Sequence, residues 1–467
     1  MKRLARFVAL VTLLGVAGCA HYPVNSRLAN YDETTGYRFD NLTAEENSDS
    51  LFVVLAFSGG GTRAAALSYG VLEQLRNTTI SWEGKQKRLL DEVDVISSIS
   101  GGSFTAAYYG LFRERTFQDY ETRFLKRDVQ GDLFWALFNP VNWVRLSSFT
   151  FDRIDMAAEY YDENIFDKKT FRDLAEQGGK PFVMINATDM TLGARFEFTQ
   201  NQFDFLCSNL DDFPVARAVA ASSAFPVLLS PITINNYARS CNFPEPEWIS
   251  YALMDRDFAT RRFVLANQMS SYQDFAERPY LHLLDGGIAD NIGLRGPLNA
   301  LVSTDTPWSL LRMINQKQVR KVVLIVVNAG TQPDNDIDRH DSPPNLDRVI
   351  TTAINAPMDN YSFETIETLK DKISEFEADV RARRDCKEVL KSACPQAQLP
   401  GTDVPDVQFY PIVLSFDAIA DYNTRKYFKN LPTTFALPAA TVDRLRDMGK
   451  QLLVESDEFK VLRKDLQ

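Results

Sequence analysis

Short apolar runs alternating with helical periodicities set the frame of the chain. Leu51–Phe57 (LFVVLAF), residues 93–97 (VDVIS), 182–188 (FVMINAT), 280–284 (YLHLL) and Lys321–Asn328 (KVVLIVVN) read as strands. They are brief and rich in β-branched and aromatic residues, and the last is the clearest strand buried on both faces. After the first run, residues 64–75 place Leu67, Val71, Leu72 and Leu75 on one helical face. After the second, residues 104–114 continue as a helix. Two such βα units predict an α/β fold with a mostly parallel central sheet flanked by helices.

Further along, residues 195–199 read as a strand returning in a hairpin, and 215–224 as a small-residue helix stopped at Pro226. Residues 235–280 read as a turn-rich surface insertion. The stripe Phe363, Ile366, Leu369, Ile373, Phe376 and Val380 predicts a long amphipathic helix over 362–384. A strand at 409–416 and a helix at 441–453 form the C-terminal extension. Residues 131–151 crowd Phe134, Trp135, Phe138, Trp143 and Phe149 around Pro140. They are expected to form a helical hairpin packed on the core, the alternative being an apolar lip that dips into lipid.

The N-terminus adds an address. Lys2, Arg3 and Arg6 precede an apolar stretch over 7–16, and small residues lead to Cys19, the layout of a secretory leader too short to be a good membrane span. Val16-Ala17-Gly18-Cys19 resembles a bacterial lipobox, so residues 1–18 are expected to be a lipoprotein signal peptide and Cys19 the lipidated anchor. Ala20 in place of Asp points to the outer membrane of the cell envelope. Residues 19–50 are expected to be a polar tether, 51–300 a catalytic core with insertions, and 301–467 a further part of the same domain or an extension. The four cysteines besides Cys19 suggest two disulfides in an oxidising compartment, Cys207–Cys241 and Cys386–Cys394.

A net charge of −11, without a long basic run, argues against nucleic acid as a partner. Three scattered histidines (His21, His282, His340) and paired cysteines make a metal site unexpected, and no cofactor is expected.

The chemistry sits at three turns. Ser58-Gly59-Gly60-Gly61-Thr62-Arg63 joins the first strand to its helix and forms an anion cradle of backbone N–H groups. Ser98-Ile99-Ser100-Gly101-Gly102 has the small-x-Ser-x-Gly spacing of a nucleophile elbow, which demands small neighbours around a strained serine. Asp285-Gly286-Gly287 ends an apolar strand, so a partly desolvated Asp285 at the same sheet edge can accept the Ser100 proton directly. A Ser-His-Asp triad is poorly supported, because His282 alternates with leucines on a strand and His340 sits in a polar loop. The dinucleotide-binding alternative, Gly59-x-Gly61-x-x-Ala64, lacks the acid it needs at the end of the second strand.

Together with Ala221-Ser222-Ser223-Ala224-Phe225-Pro226 and Asp285 to Asn291, these turns resemble, in order, the patatin-like phospholipase family over roughly residues 50–300. The resemblance implies a fold related to the α/β hydrolases and a Ser–Asp dyad, with Ser100 as nucleophile and Asp285 as base. Gly59, Gly60 and Gly61 are then the oxyanion-hole donors, and Arg63 is a basic group near the hole or the lipid phosphate. Ser98 for Gly, and Ile292 where many members have Pro, depart from the pattern. The implied activity is hydrolysis of phospholipid or lysophospholipid esters; the alternatives are acyl transfer with the same dyad and a non-catalytic lipid-anchored binding protein.

Overall fold

A computed structural model describes residues 20–42, 47–177, 179–226, 228–305, 309–316, 318–332, 337–393 and 407–467. In chain order the elements used below begin with β1 (Leu51–Phe57), α1 (Gly61–Arg76), β2 (Val93–Ile99), α2 (Gly101–Phe112), α3 (Val129–Ala136), α4 (Pro140–Leu146) and α5 (Arg153–Asn164). They continue with β3 (Phe182–Asp189), β4 (Ala194–Glu197), α6 (Val215–Ser222), β5 (Ile232–Asn235), α7 (Glu247–Asp255), α8 (Arg261–Tyr272) and β6 (Tyr280–Asp285). The last are α9 (Arg295–Val302), β7 (Lys321–Asn328), α10 (Leu346–Ala393), β8 (Gln408–Ser415) and α11 (Ala439–Glu455). The predicted turn-rich insertion at 235–280 carries two helices, α7 and α8, among its turns.

One sheet runs β8-β7-β1-β2-β3-β6-β5, with β4 also on β3. The first five strands are parallel, and β1, β2 and β3 are buried on both faces, as suits predominantly apolar strands; buried Asp94 within β2 is paired with Lys180. Because β7 and β8 complete this sheet, residues beyond 300 belong to the same fold. α11 packs along α1 at glycines: a Cβ on Gly70 would lie 1.9 Å from the Arg446 carbonyl oxygen, and one on Gly449 2.3 Å from that of Leu67.

The register around β3 decides where the chemistry goes. Asn186 pairs with both Ile99 of β2 and Glu197 of β4, and Ala187 with both Phe196 of β4 and Asp285 of β6. A strand residue has one neighbour on each side, so β4 holds one flank of β3 while β2 and β6 share the other. β2 runs parallel and stops at Asn186; β6 arrives antiparallel and stops at Ala187. The two strands meet end to end.

The segment expected to be a tether is instead sewn onto the body over residues 20–42. Leu28 and Tyr31 donate backbone N–H bonds to the Cys207 and Cys241 carbonyls, and Asn209 donates to that of Ser26. Tyr37 is buried, and Arg38 forms a bidentate pair with buried Asp204 at 2.6 and 3.0 Å. Its polarity reflects hydrogen bonding to the body, which composition alone does not distinguish from solvation. Cys207 and Cys241 are bridged, as expected, with Cα atoms 5.4 Å apart. Cys386 is exposed with a free thiol; its expected partner Cys394 lies outside the described residues, as does Cys19. Among the described residues no helix is long and apolar enough to cross a membrane.

The Arg38–Asp204 pair gives the strap a measurable role. Asp204→Ala strands a buried guanidinium and is expected to cost about 3–5 kcal/mol in urea unfolding, while Arg38→Met/Asp204→Leu costs less than the two single losses combined. A loose tether would leave both variants as stable as the parent.

Candidate active site

The end-to-end meeting of β2 and β6 creates a gap in the ladder, and the two turns that follow fill it. Ser100 leaves β2 at φ 48° and ψ −118° and caps α2, the left-handed backbone of a nucleophile elbow. Its amide N–H donates to Ser222 Oγ at 2.8 Å. Ser222 also accepts the Gly286 N–H at its carbonyl, 3.1 Å away, so this last residue of α6 clamps both strand ends. A serine chain extends from it. Ser103 Oγ lies 2.9 Å from Ser222 Oγ and donates to Ser98 Oγ at 3.1 Å, and Ser98 donates to the Met184 carbonyl. With the Ser103 proton committed to Ser98, Ser222 must donate to Ser103. Ser98, the residue that departs from glycine in the elbow, is a link in this chain.

Asp285 is 4% exposed and its Oδ1 accepts the Gly287 N–H at 2.8 Å. Burial raises its pKa to about 6, against the lowering effects of the Gly287 N–H and of a hydrogen bond from the Ser100 side chain. The two sequence-predicted residues are thus in contact, although the route differs from the expectation. Asp285 does not stand on a parallel strand at the carboxyl edge; it enters antiparallel and reaches the level of Ser100 from the opposite direction. No histidine bonds either residue among the described groups. His282 is exposed on β6 and hydrogen-bonds Thr233 Oγ1.

The glycine turn divides into donors already used and donors left over. Gly59 gives its N–H to the Asn291 carbonyl at 2.9 Å, so the expectation that it is a free donor is corrected. Gly60 and Gly61 adopt φ 134° and 59°, which glycine alone tolerates at little cost. Their N–H groups have no acceptor among the described residues, and the same holds for Gly101, the first residue of α2. Gly61 and Gly101 begin α1 and α2, where unpaired N–H groups and the helix dipoles favour negative charge. Gly101 and Ser222 were missed as site residues in the sequence. The elbow motif contains the first and the Ala-Ser-Ser-Ala segment the second, but neither spacing reveals which hydrogen bond each makes.

Arg63, expected near the hole or the lipid phosphate, lies beside the glycine turn, its guanidinium 2.9 Å from where a Gly60 Cβ would be. It is buried within α1, donating to the Ala329 carbonyl at 2.9 Å, the Leu431 carbonyl at 2.8 Å and Thr433 Oγ1 at 3.1 Å. Desolvation pulls its pKa down to about 10, offset in part by Asp359 of α10. Its bonds go to backbone and to one threonine, so it is a strut joining the glycine turn to residues 329–330 and 431–434. The Thr434 carbonyl accepts the Thr62 N–H and sits 2.5 Å from where a Gly61 Cβ would be. Met358 of α10 approaches Gly287 equally closely. Ser100 is itself buried, at 7% exposure. A separate cavity of about 840 Å³, lined by Arg195, Trp248, Arg261 and Arg295 among others, includes neither Ser100 nor Asp285.

A family model described as patatin-like phospholipase matches residues 55–298, more than half of the chain. The chain belongs to the patatin-like phospholipase family. The matched span begins in β1 and ends in α9, enclosing the glycine turn, the elbow, α6 and the β6 turn. No curated protein matches the chain in sequence. Among solved structures, human GIVD cytosolic phospholipase A2 is similar at TM-score 0.37 and 15% identity, over 60% of this chain and 46% of that one. The same human enzyme in complex with methyl gamma-linolenyl fluorophosphonate gives TM-score 0.41 and 13% identity, over 89% and 59%. The chain therefore spans roughly half of the length of these relatives.

The strut assignment of Arg63 in this patatin-like chain separates from a phosphate-binding role by experiment. Arg63→Ala leaves buried carbonyls without their donor and is expected to lower unfolding stability by about 1–3 kcal/mol. The remaining activity should fall by the same factor on a phosphate-free ester as on a phospholipid. A selective rise in KM for the phospholipid, with stability intact, would put the guanidinium on the headgroup.

Proposed function

We propose that this patatin-like protein is a serine acyl hydrolase of phospholipid or lysophospholipid esters, with Ser100 as nucleophile and Asp285 as base. The carrying observation is the end-to-end meeting of β2 and β6, which sets the Ser100 hydroxyl against a buried carboxylate beside unpaired amides at two helix N-termini. Ser100 Oγ attacks the ester carbonyl as its proton passes to Asp285. The carbonyl oxygen becomes an oxyanion that receives the N–H groups of Gly60 and Gly61, with Gly101 as a third donor. Each such donor is worth roughly 2.7–4 kcal/mol. Collapse expels the alcohol half of the lipid, which takes the proton back from Asp285 and leaves an acyl ester on Ser100. Water, deprotonated by Asp285, then cleaves that ester and releases the fatty acid.

The base is tuned by burial. At a pKa of about 6 it is ionised at neutral pH yet accepts a proton more readily than an exposed aspartate does. The same elbow and hole also serve acyl transfer when an alcohol replaces water in the second half-reaction. The buried position of Ser100, which limits water, favours keeping that second reading. Cys19 as a lipid anchor places the protein at the outer membrane of a bacterial envelope, next to its substrate.

Ser100→Ala is expected to abolish ester cleavage and labelling by a fluorophosphonate probe. Unchanged cleavage would remove the dyad from the mechanism, and lipid products resolved by mass tell free fatty acid from transferred acyl groups. For the wild type, kcat/KM should fall tenfold per unit below about pH 6 as Asp285 becomes protonated, and level off above.

Stability should move the other way. The folded carboxyl has a pKa of about 6 against about 3.9 in the unfolded chain, so the folded state binds the extra proton between those values. This contribution is present in acid and lost as pH rises through 6. Asp285→Asn should therefore be more stable than wild type by about 2–3 kcal/mol at pH 8 and no different near pH 3.5, read from urea midpoints across pH.

A further inference from the structure

Residues 129–151 depart furthest from soluble-protein behaviour. α3 and α4 form the predicted helical hairpin, but its aromatic side chains do not pack on the core. Trp135 is 70% exposed, Trp143 59%, Phe149 wholly, and Phe134, Phe138 and Val141 more than half. Contiguous apolar surface of this kind marks a site that meets another apolar phase.

The base of the hairpin is held firmly, so this exposure is built rather than frayed. Arg145 pairs with Glu159 and lies over the Phe151 ring at 4.1 Å. The Trp143 indole N–H is satisfied by the Leu137 carbonyl, which leaves its ring without a polar demand. The only charged residues of the segment, Asp132 and Arg145, are both in ion pairs. Whatever covers this surface is therefore recognised by apolar burial.

The chain's own course names the occupant. Ser148 Oγ and Thr150 Oγ1 donate to the Ala20 carbonyl at 2.6 and 3.2 Å, and the Tyr22 N–H donates to the Thr150 carbonyl. Ala20 directly follows Cys19, so a lipid on Cys19 would enter a bilayer one residue from the foot of the hairpin, with this apolar face beside it.

We propose that the α3–α4 hairpin is a membrane-inserting lip that seats the protein on a phospholipid surface at the point where the N-terminal chain emerges. Its aromatic rings enter the headgroup and upper acyl region, where tryptophan is favoured. The proposal rests on the hydrolase reading only in choosing phospholipid as the surface.

The test uses the full chain carrying Cys19→Ser and Ser100→Ala, so that neither lipidation nor turnover contributes, with sedimenting vesicles of phosphatidylethanolamine and phosphatidylcholine. The parent should bind with a blue shift in tryptophan emission. Trp135→Ser/Trp143→Ser/Phe149→Ser should reduce partitioning at least tenfold, with circular dichroism and melting temperature unchanged. Trp135→Phe/Trp143→Phe should keep binding. Raising salt from 0.1 to 0.5 M should leave partitioning unaltered, because no basic patch is involved. Equal partitioning of the Ser variant would assign any binding to the leader, and steep salt dependence would assign it to charge; either overturns the proposal. Tryptophans shielded from acrylamide without vesicles would overturn it too, by showing the lip covered by residues 7–16 or by a second copy. Loss of vesicle binding leaves fluorophosphonate labelling of wild-type Ser100 untouched, so the two readings fail separately.

Discussion

Two strands ending on one flank of β3 are the constraint from which the site follows. An interior strand normally has an unbroken neighbour on each side, since an interrupted ladder leaves backbone groups unpaired. Here the interruption falls between Asn186 and Ala187, and the elbow and the β6 turn repair it. Ser222 takes the Ser100 N–H on its side chain and the Gly286 N–H on its main chain. The Asp285 N–H is taken by the Ala224 carbonyl. The Asp285 carbonyl receives Thr188 Oγ1. The polar groups freed by the gap are thus satisfied by α6 and β3, which leaves the Ser100 hydroxyl and the Asp285 carboxylate to face each other.

That arrangement fixes the electrostatics. The serine chain beneath the elbow is neutral, and the guanidinium of Arg63, the cation of the glycine turn, spends its donors on residues 329, 431 and 433. Negative charge developing above Ser100 is then opposed by backbone dipoles at the starts of α1 and α2 rather than by a side-chain cation. Dipoles held by a rigid turn cost no reorganisation as charge develops, and they do not lower the pKa of Asp285 as an adjacent arginine does. Keeping Arg63 out of the hole is consistent with a base that needs its raised pKa.

Most of the frame was legible because it depends on local pattern. Predominantly apolar runs marked β1, β2, β3 and β7, and the strand–turn–helix spacing marked Gly60, Gly61 and Ser100. What escaped was set by pairing. Apolar alternation in β6 is the same whether the strand lies parallel or antiparallel, so its direction was invisible. The Gly59 N–H was lost to a carbonyl 232 residues away in sequence, at Asn291. Arg63 looked functional because a cation beside three glycines commonly meets an anion; its acceptors come from loops with no recognisable signature. Residues 20–42 looked solvated because Asn25, Arg27 and Arg38 are polar, whereas their partners Ser208, Ser240 and Asp204 are supplied by the body.

The hairpin that would meet the membrane is also connected to the hole. Thr434 Oγ1 and the Phe435 N–H both donate to Gln130 Oε1 in the first turn of α3, and the Thr434 carbonyl in turn holds the Thr62 N–H and closes over Gly61. One loop of four residues, 431–434, therefore touches the base of the lip, the Arg63 strut and the donor turn. Ser100 itself is buried, and this loop lies against the donor turn beside it. Gln130 ties the first turn of α3 to that loop, because its one side-chain oxygen accepts from two consecutive residues.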